Sequence, residues 1–331
     1  MYRSPWLILL FSSLLILGLA ACNDDDCPTC PDPVNVTATM DNIWPHADGT
    51  VWSYAGEYQE YAMPDPDPDP PKSDTSIPSM ALLHGDLQGP LGGIPDLEVP
   101  IFYRLIRDGE ITTESDVTAD YLRSEIFVPE DGPLSKDAVR SVQAPDRLLQ
   151  MIAEARPDLR DAIRPHLKAT DKLETYIGPP LFLNGYAFAY EDSGYYGYGD
   201  LNTIHAWTFL ESSLDVGTEF TLQLVPGLAD DIWLTGQVWS QGALTVNGVT
   251  FQNVVEVMYV IDFGEQVLTN ESGDILSTLR SYAYGTIHFA PEVGPVLTRE
   301  RARMIPDPIL QESVPFVRDY VLEMVAVSLG D

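Results

Sequence analysis

The sequence predicts a mainly β protein in which a curved antiparallel sheet or half-barrel is covered by helices. In the second half of the chain, aromatic and β-branched residues alternate with polar ones at the period of a half-buried strand. Asn247-Gly248 lies between two such runs, and both residues accept the positive φ angles of a type I′ hairpin turn. One strong helical pattern, over residues 146–169, predicts a helical hairpin on one face of the sheet.

The first 22 residues have the parts of a secretory leader. Arg3 supplies the positive charge, residues 7–19 form an apolar run, and Ala20 and Ala21 are the small residues before a cleavage point. Acidic residues begin at Asp24, so the run falls short of the about 20 apolar residues that span a membrane. We therefore predict a signal peptide over residues 1–22, and we predict that it is cut and does not remain as a membrane span.

Residues 19–22, Leu-Ala-Ala-Cys, resemble the lipobox of bacterial lipoproteins. The resemblance implies that the Cys22 sulfur receives a diacylglycerol, that the preceding peptide bond is cut, and that the new terminus is acylated with fatty acids such as palmitate. Several acyl chains, each contributing about 0.8 kcal/mol per buried methylene, anchor a protein stably. Asn23 follows the cysteine. By the sorting rule of Gram-negative lipoproteins, this implies anchoring to the outer membrane.

The charge of the chain limits its partners. Lys and Arg number 18 against 50 Asp and Glu, which gives a formal net charge of −32. Such a chain is not a nucleic-acid-binding protein, because phosphate recognition depends on basic residues. An anionic membrane surface would repel the body as well, so the lipid anchor must supply the membrane attachment.

Residues 23–43 are acidic and contain prolines, which predicts a disordered tether. The tether holds Cys27 and Cys30, and an exported compartment permits a disulfide between them. Redox motifs and zinc sites share this spacing, but no strand precedes the pair and no second cysteine pair completes a zinc site. A local disulfide and two free thiols remain open. We predict no metal and no cofactor.

The body is predicted in an N-terminal β-rich part, residues 44–176, and a C-terminal antiparallel part, residues 177–331, which are either separate or joined in one domain. The first part carries a Pro/Asp loop at residues 64–75, where alternating Asp and Pro favour an extended chain. This loop lacks the glycine turn and the bidentate glutamate of a calcium-binding EF-hand. A strand meander over residues 95–128 precedes the helical hairpin.

Three segments resemble uncharacterised secreted proteins and lipoproteins of Gram-negative bacteria. Residues 44–54 match an opening phrase Trp-Pro-x-x-x-Gly-x-x-Trp-x-Tyr, and residues 248–257 are similar to a hairpin phrase of that group. Residues 284–296 contain the closing phrase Phe-Ala-Pro-x-Val-Gly-x-Val. The resemblance implies a curved antiparallel sheet with a helical cover, broadly similar to periplasmic lipoprotein-carrier folds. It implies no catalytic residue.

The sequence contains none of the common catalytic motifs: no Gly-x-Ser-x-Gly elbow, no His-Glu-x-x-His helix, no Walker loop and no dinucleotide fingerprint. We therefore predict a noncatalytic, membrane-anchored exported lipoprotein with a binding or envelope-structural role. One alternative is a carrier that shields an apolar, lipid-like ligand in the curved sheet. Another is a hydrolase with a dispersed site, where histidines and carboxylates converge in a cleft.

The most distinctive stretch of the body is residues 190–202, which is rich in Tyr, Gly and acidic residues. Aromatic rings stack on sugars or apolar ligands, and carboxylates suit calcium, but a glycine-rich hairpin with tyrosines packed on the sheet explains the pattern as well. An apolar ligand, a glycan and an envelope protein are the candidate partners. The candidate contacts are Tyr190, Glu191, Asp192, Tyr195, Tyr196, Tyr198 and Asp200.

Overall fold

Antiparallel strands make up most of the structure, a computed structural model. It describes residues 36–44, 47–62, 76–91, 94–95, 97–112, 118–127, 139–142, 156, 159, 187–191, 194–198, 207–210, 213–225, 229–269, 275–304 and 316–329. The predicted leader, the three cysteines and the Pro/Asp loop lie outside these residues, as does nearly all of the predicted helical hairpin. The described chain from Thr37 onward belongs to one compact unit.

The described residues confirm the predicted fold class. Thirteen strands pair antiparallel in one sheet, in the order β7-β6-β5-β3-β2-β1-β13-β12-β11-β10-β9-β8, with β4 paired to β3 beside this path. The two ends of the path, β7 and β8, lie near each other, so the sheet curves without closing through a ladder. The strands are β1 Val51–Ala62, β2 Leu97–Thr112, β3 Thr118–Phe127, β4 Val139–Val142, β5 Ala187–Glu191, β6 Gly194–Tyr198, β7 Trp207–Leu210, β8 Glu219–Val225, β9 Ala229–Val246, β10 Val249–Thr269, β11 Ile275–Ala290, β12 Gly294–Met304 and β13 Phe316–Ser328.

Strands from both predicted parts of the body are neighbours in this sheet. Strand β1 pairs with β2 on one side and with β13 on the other, so Tyr58 lies opposite Tyr320. Residue 177 therefore does not mark a break in the sheet. Nine of the described strands, β5 to β13, come from the second half of the chain.

The main core covers one face of the sheet. On β10 the alternate residues Val255, Val257, Tyr259, Ile261 and Phe263 are buried in it, as the two-residue period of a strand requires. Large aromatic side chains from β1, β2 and β11 fill the same layer: Trp52, Tyr54, Tyr58, Tyr103 and Phe289.

The folded chain begins earlier than the sequence indicates. Residues 36–43 belong to the predicted tether, yet Ala38, Met40 and Ile43 are buried in the main core beside Trp44. The backbone N–H of Glu292 donates a hydrogen bond to the carbonyl of Asn42. The segment packs on the sheet because Ala38, Met40 and Ile43, although separated by polar residues, reach the same core.

The predicted turn at Asn247-Gly248 is confirmed. Asn247 has φ 48° and Gly248 has φ 81°, both positive as a type I′ turn between β9 and β10 requires. The amide of Asn247 also donates to the carbonyl of Met324, which holds the hairpin tip against β13. Gly294, with φ 94°, follows the turn that joins β11 to β12.

Helix α1, Met80–Leu87, lies on the opposite face of the sheet and was not predicted. Its local signals are weak, since it has eight residues, contains Gly85, and receives no side-chain cap from Ser79. Tertiary packing forms it instead. Leu83 and Leu87 are buried against four residues of β10 and β11: Met258, Val260, Tyr282 and Tyr284.

The described part of the chain contains no helix of the length and apolar character that a membrane span requires. Two residues of the predicted helical hairpin are described, and both contact other parts of the described fold. Arg156 donates to the carbonyl of Phe263, and Leu159 packs against the core. Whether residues 146–169 form two helices stays a prediction.

Candidate functional site

A cavity of about 280 Å³ lies where the end of α1 meets strands β12, β13 and β1. Its floor consists of two rows of residues. Each row contains one residue from each of β12, β13 and β1, and these three residues lie directly opposite one another in the sheet. The wall is formed by residues 87–90, which are the last residue of α1 and the three residues after it. The first row is Arg299, Val321 and Glu57, and the second is Arg301, Asp319 and Gln59.

The arginines of the floor come from a simple alternation on β12. Arg299, Arg301 and Arg303 are two residues apart, so they share one face of the strand. The intervening Glu300 is buried on the other face, where the hydroxyl of Tyr259 donates to its carboxylate at 2.7 Å. A chain with a net charge of −32 thus places three arginines on one face of β12, and two of them, Arg299 and Arg301, line the cavity.

Arg301 joins α1 to the sheet. Its Nη1 donates to the Asp86 carboxylate at 2.6 Å, and its Nη2 donates to Asp319 at 2.8 Å and to the carbonyl of Gly89 at 3.1 Å. The Arg301 side chain is only 3% exposed. Burial by itself would lower the pKa of Arg301, but the hydrogen bonds and charges of Asp319 and Asp86 outweigh burial and raise it. The guanidinium therefore stays charged and links two elements.

The same carboxylate receives a hydrogen bond from β11. The Tyr284 hydroxyl donates to Asp86, and burial together with this carboxylate raises the pKa of Tyr284 above its ordinary value. The phenol therefore remains a donor. Asp86 thus fixes α1 to both β11 and β12, and the position of α1 sets the position of the cavity wall.

Arg299 has far fewer contacts than Arg301. Among the described residues, its one hydrogen bond runs from Nη1 to the carbonyl of Leu87 at 3.1 Å. Its Nε is buried without a hydrogen-bond partner. A guanidinium offers five N–H donors, so most of the capacity of Arg299 is unused at the cavity.

A second polar cluster lies under α1 and is centred on Glu256 of β10. Ser240 Oγ donates to Glu256 Oε2 at 2.7 Å, while the Nε2 atoms of His84 and His288 lie 2.8 and 3.4 Å from Oε1. An ionised carboxylate only accepts, so both imidazoles donate from Nε2. The His84 ring also stacks on Trp239, with ring centroids 4.6 Å apart.

This cluster brings histidines and a carboxylate together, as the hydrolase hypothesis requires, but in the wrong order for serine catalysis. In a catalytic triad the histidine lies between the nucleophile and the acid. Here Glu256 lies between Ser240 and the two histidines, so the hydroxyl donates to the acid. The described residues contain no group of three or more His, Cys, Asp or Glu arranged to hold a metal ion.

Acid is expected to weaken the protein through Glu256. Burial alone would raise its pKa, but hydrogen bonds from His288, Ser240 and His84 and the charge of His288 lower the pKa from 4.5 to about 2. Because the folded pKa is the lower one, the stabilisation is complete above pH 4.5 and disappears as the pH falls to 2. We expect about 3 kcal/mol of the free energy of unfolding to be lost across this window.

Urea unfolding at a series of pH values measures this loss, with Glu256→Gln as the control that cannot titrate at this position. The wild type should lose more stability than the variant between pH 4.5 and 2. Parallel curves for the two proteins would contradict the role of Glu256. The comparison isolates this group from the many other carboxylates of the chain.

The structure places some of the sequence-predicted site residues but does not gather them at the cavity. Tyr190 and Glu191 lie on β5 and pair with Tyr195 and Gly194 of β6, so the backbone of this stretch is a hairpin. In the sheet order β5 is separated from β1 by β3 and β2, away from the cavity floor. Tyr196 and Tyr198 are also on β6, while Asp192 and Asp200 lie outside the described residues. Ligand contact by this hairpin stays a prediction.

The residues around the cavity are not among the predicted site residues. A signal was available, because three arginines alternate over residues 299–303 of a strongly acidic chain. Their partners Asp86 and Asp319 come from distant positions and carry no motif. The cavity also differs from the one that the carrier hypothesis requires, because charged groups line it and aromatic side chains fill the main-core face.

Comparisons with known proteins identify no family. No family model and no curated protein matches the chain. Among solved structures, a Bacteroides fragilis protein described as exported, with a YmcC-like fold, has a TM-score of 0.35 at 8% identity, covering 87% of this chain and 99% of its own. A Parabacteroides distasonis protein described as a lipoprotein has a TM-score of 0.26 at 9% identity, covering 88% and 100%. Likenesses at this level carry no conclusion about this chain.

Proposed function

We propose that this chain is an exported lipoprotein whose folded body is a noncatalytic binding protein, with the cavity beside α1 as its recognition site. The observation that carries the binding role is a cavity floored by Arg299 and Arg301 in a chain with a net charge of −32. Partly enclosed cavities with a few converging polar groups are the usual form of small-ligand sites.

The leader supports the anchoring part of the proposal. A positive n-region, an apolar run and the residues Leu-Ala-Ala before Cys22 are arranged as a lipoprotein leader requires. Lipid on Cys22 would hold the acidic body at a membrane that its charge would otherwise avoid. Asn23 supports the outer membrane as the location.

Replacing the anchor residue should release the protein. We expect Cys22→Ser to move the chain from the membrane fraction to the soluble fraction, because no acyl chain can then be attached. Cys27→Ser is the matched control, since it removes a thiol five residues away and leaves the lipobox unchanged. Fractionation with metabolic labelling by radioactive palmitate gives the readout. A Cys22→Ser chain that stays membrane-bound would refute the anchoring.

The Glu256 cluster supports a noncatalytic role. Ser240, His84 and His288 all satisfy one carboxylate, which leaves the hydroxyl without an imidazole to activate it. The cavity has a different chemistry: two arginines, two side-chain amides and a few apolar side chains line it together with Glu57 and Asp319, and such groups can hold a ligand. Activity assays on the Ser240→Ala variant test this point, since any hydrolysis that Ser240 supports would be lost.

A further inference from the structure

We infer that the cavity beside α1 binds the carboxylate group of a small organic acid or of a peptide C terminus, and that Arg299 is the residue that holds it. The inference rests on the proposed function, in which this cavity is the recognition site. It adds the chemical class of the ligand.

Arg299 has N–H donors at the cavity that no described residue uses. Its Nη1 donates to the carbonyl of Leu87, which orients the planar guanidinium at the cavity. The Nε–H is buried without an acceptor among the described residues, but the Nε–H of Arg301 is as well, so this atom does not distinguish the two arginines. The Nη2 atom of Arg299 is neither buried nor hydrogen-bonded among the described residues, so its two N–H groups can reach a ligand in the cavity. A carboxylate can accept two parallel hydrogen bonds from such a fork.

Arg299 differs in its ion pairs from Arg301, which lies two residues away on the same face of β12. Arg301 is neutralised by Asp86 and Asp319 and serves to hold α1. Arg299 has no ion pair among the described residues, so its charge is the one left for a ligand. The two arginines therefore have different roles. Arg301 holds the cavity wall in place, and Arg299 is available to bind a ligand.

The charged residues around the cavity limit the sign and the size of the charge that a ligand can carry. Glu57 lies in the same row as Arg299, on the far side of Val321, and it is exposed. Asp319 in the next row is already paired with Arg301. Glu57 repels any anion, and it repels a phosphate with a charge of about −1.5 to −2 more strongly than a singly charged carboxylate, so the single available arginine charge suits a carboxylate better.

The uncharged residues that line the cavity limit the size and shape of the ligand. Val321, Leu87 and Pro90 offer apolar contact, while the amides of Gln59 and Gln88 can donate or accept hydrogen bonds. A volume of about 280 Å³ accommodates a small acid or the last one or two residues of a peptide. The cavity is therefore matched to a short chain that ends in a carboxylate.

The test uses the full mature lipoprotein in detergent micelles and a pair of probes that differ in one group. N-acetyl-Ala-Ala carries a free carboxylate, and its C-terminal amide has the same shape without the charge. Benzoate represents a small organic acid and inorganic phosphate a different anion. Ligand-observed NMR and calorimetric titration measure binding to the wild type, to Arg299→Gln and to the control Arg123→Gln. Arg123 lies on β3 in an exposed pair with Asp108.

We expect the wild type and Arg123→Gln to bind N-acetyl-Ala-Ala or benzoate, and the amide to bind at least about tenfold more weakly. Arg299→Gln should lose about tenfold or more in affinity for the acids, since charge-assisted hydrogen bonds are removed. Binding of the dipeptide alone points to a peptide terminus. Binding of benzoate alone points to a small acid. Circular dichroism checks that Arg299→Gln is folded.

Several outcomes would overturn the inference. Equal binding of acid and amide would show that no carboxylate is recognised, and preference for phosphate would assign another ligand class. No binding of any probe by the folded protein would remove the carboxylate site. Native mass spectra of protein taken from its own membranes separate this result from failure of the proposed function. A retained ligand that is lost in Arg299→Gln would still support a binding role for the cavity.

Discussion

The Arg301→Met variant is expected to lose about 3–5 kcal/mol of the free energy of unfolding. The substitution keeps an unbranched chain of similar length but removes the charge that holds Asp86 and Asp319. Asp319 is buried, so its carboxylate would be left without a compensating charge, and this penalty exceeds the value of an ordinary hydrogen bond. The end of α1 would also lose its link to β12 through the carbonyl of Gly89.

Urea unfolding at neutral pH measures the loss, and two further variants interpret it. The control Arg123→Gln removes a surface ion pair with Asp108 and should cost no more than about 1 kcal/mol. Combining Arg301→Met with Asp86→Asn and Asp319→Asn should recover part of the stability, because no unpaired charge then remains. A loss as small as that of the control would show that Arg301 does not join α1 to the sheet.

The strands could be predicted from the sequence because their signal is local. Alternation along β10 and the Asn247-Gly248 turn each depend on neighbours within a few residues, and both agree with the structure. Helix α1 could not be predicted in this way. Its stability comes from Leu83 and Leu87 packing on β10 and β11, residues far away in the sequence, and its own capping signals are weak.

The candidate site shows the same division. The alternating arginines of β12 are visible in the sequence, but their roles depend on partners at long range. Arg301 and Asp86 are 215 residues apart, and Arg299 is held by a backbone carbonyl, which carries no sequence signal at all. The tyrosine-rich hairpin attracted attention because of its composition. Composition identifies unusual segments, whereas a cavity can be lined by ordinary residues from several strands.

Average composition also misplaces the start of the folded body. The tether prediction rests on the average composition of residues 23–43, which are acidic and contain prolines. Residues 36–43 contain no proline and one acidic residue, and Ile43 is fully buried beside Trp44, which is 2% exposed. A short segment needs only a few well-placed side chains to be ordered when a sheet face is available to receive them.

Trp44→Ala should therefore destabilise the protein by about 3–5 kcal/mol, the range for removing a buried aromatic side chain. The ring contacts Trp52 and Phe289, with centroids 6.1 and 5.3 Å away, so its loss would leave a cavity in the main core. Trp233→Ala is the matched control, because Trp233 is 42% exposed on β9 and should cost less. Urea unfolding followed by far-UV circular dichroism compares the two variants. Equal losses would mean that Trp44 lies outside the core and that the tether reaches residue 43.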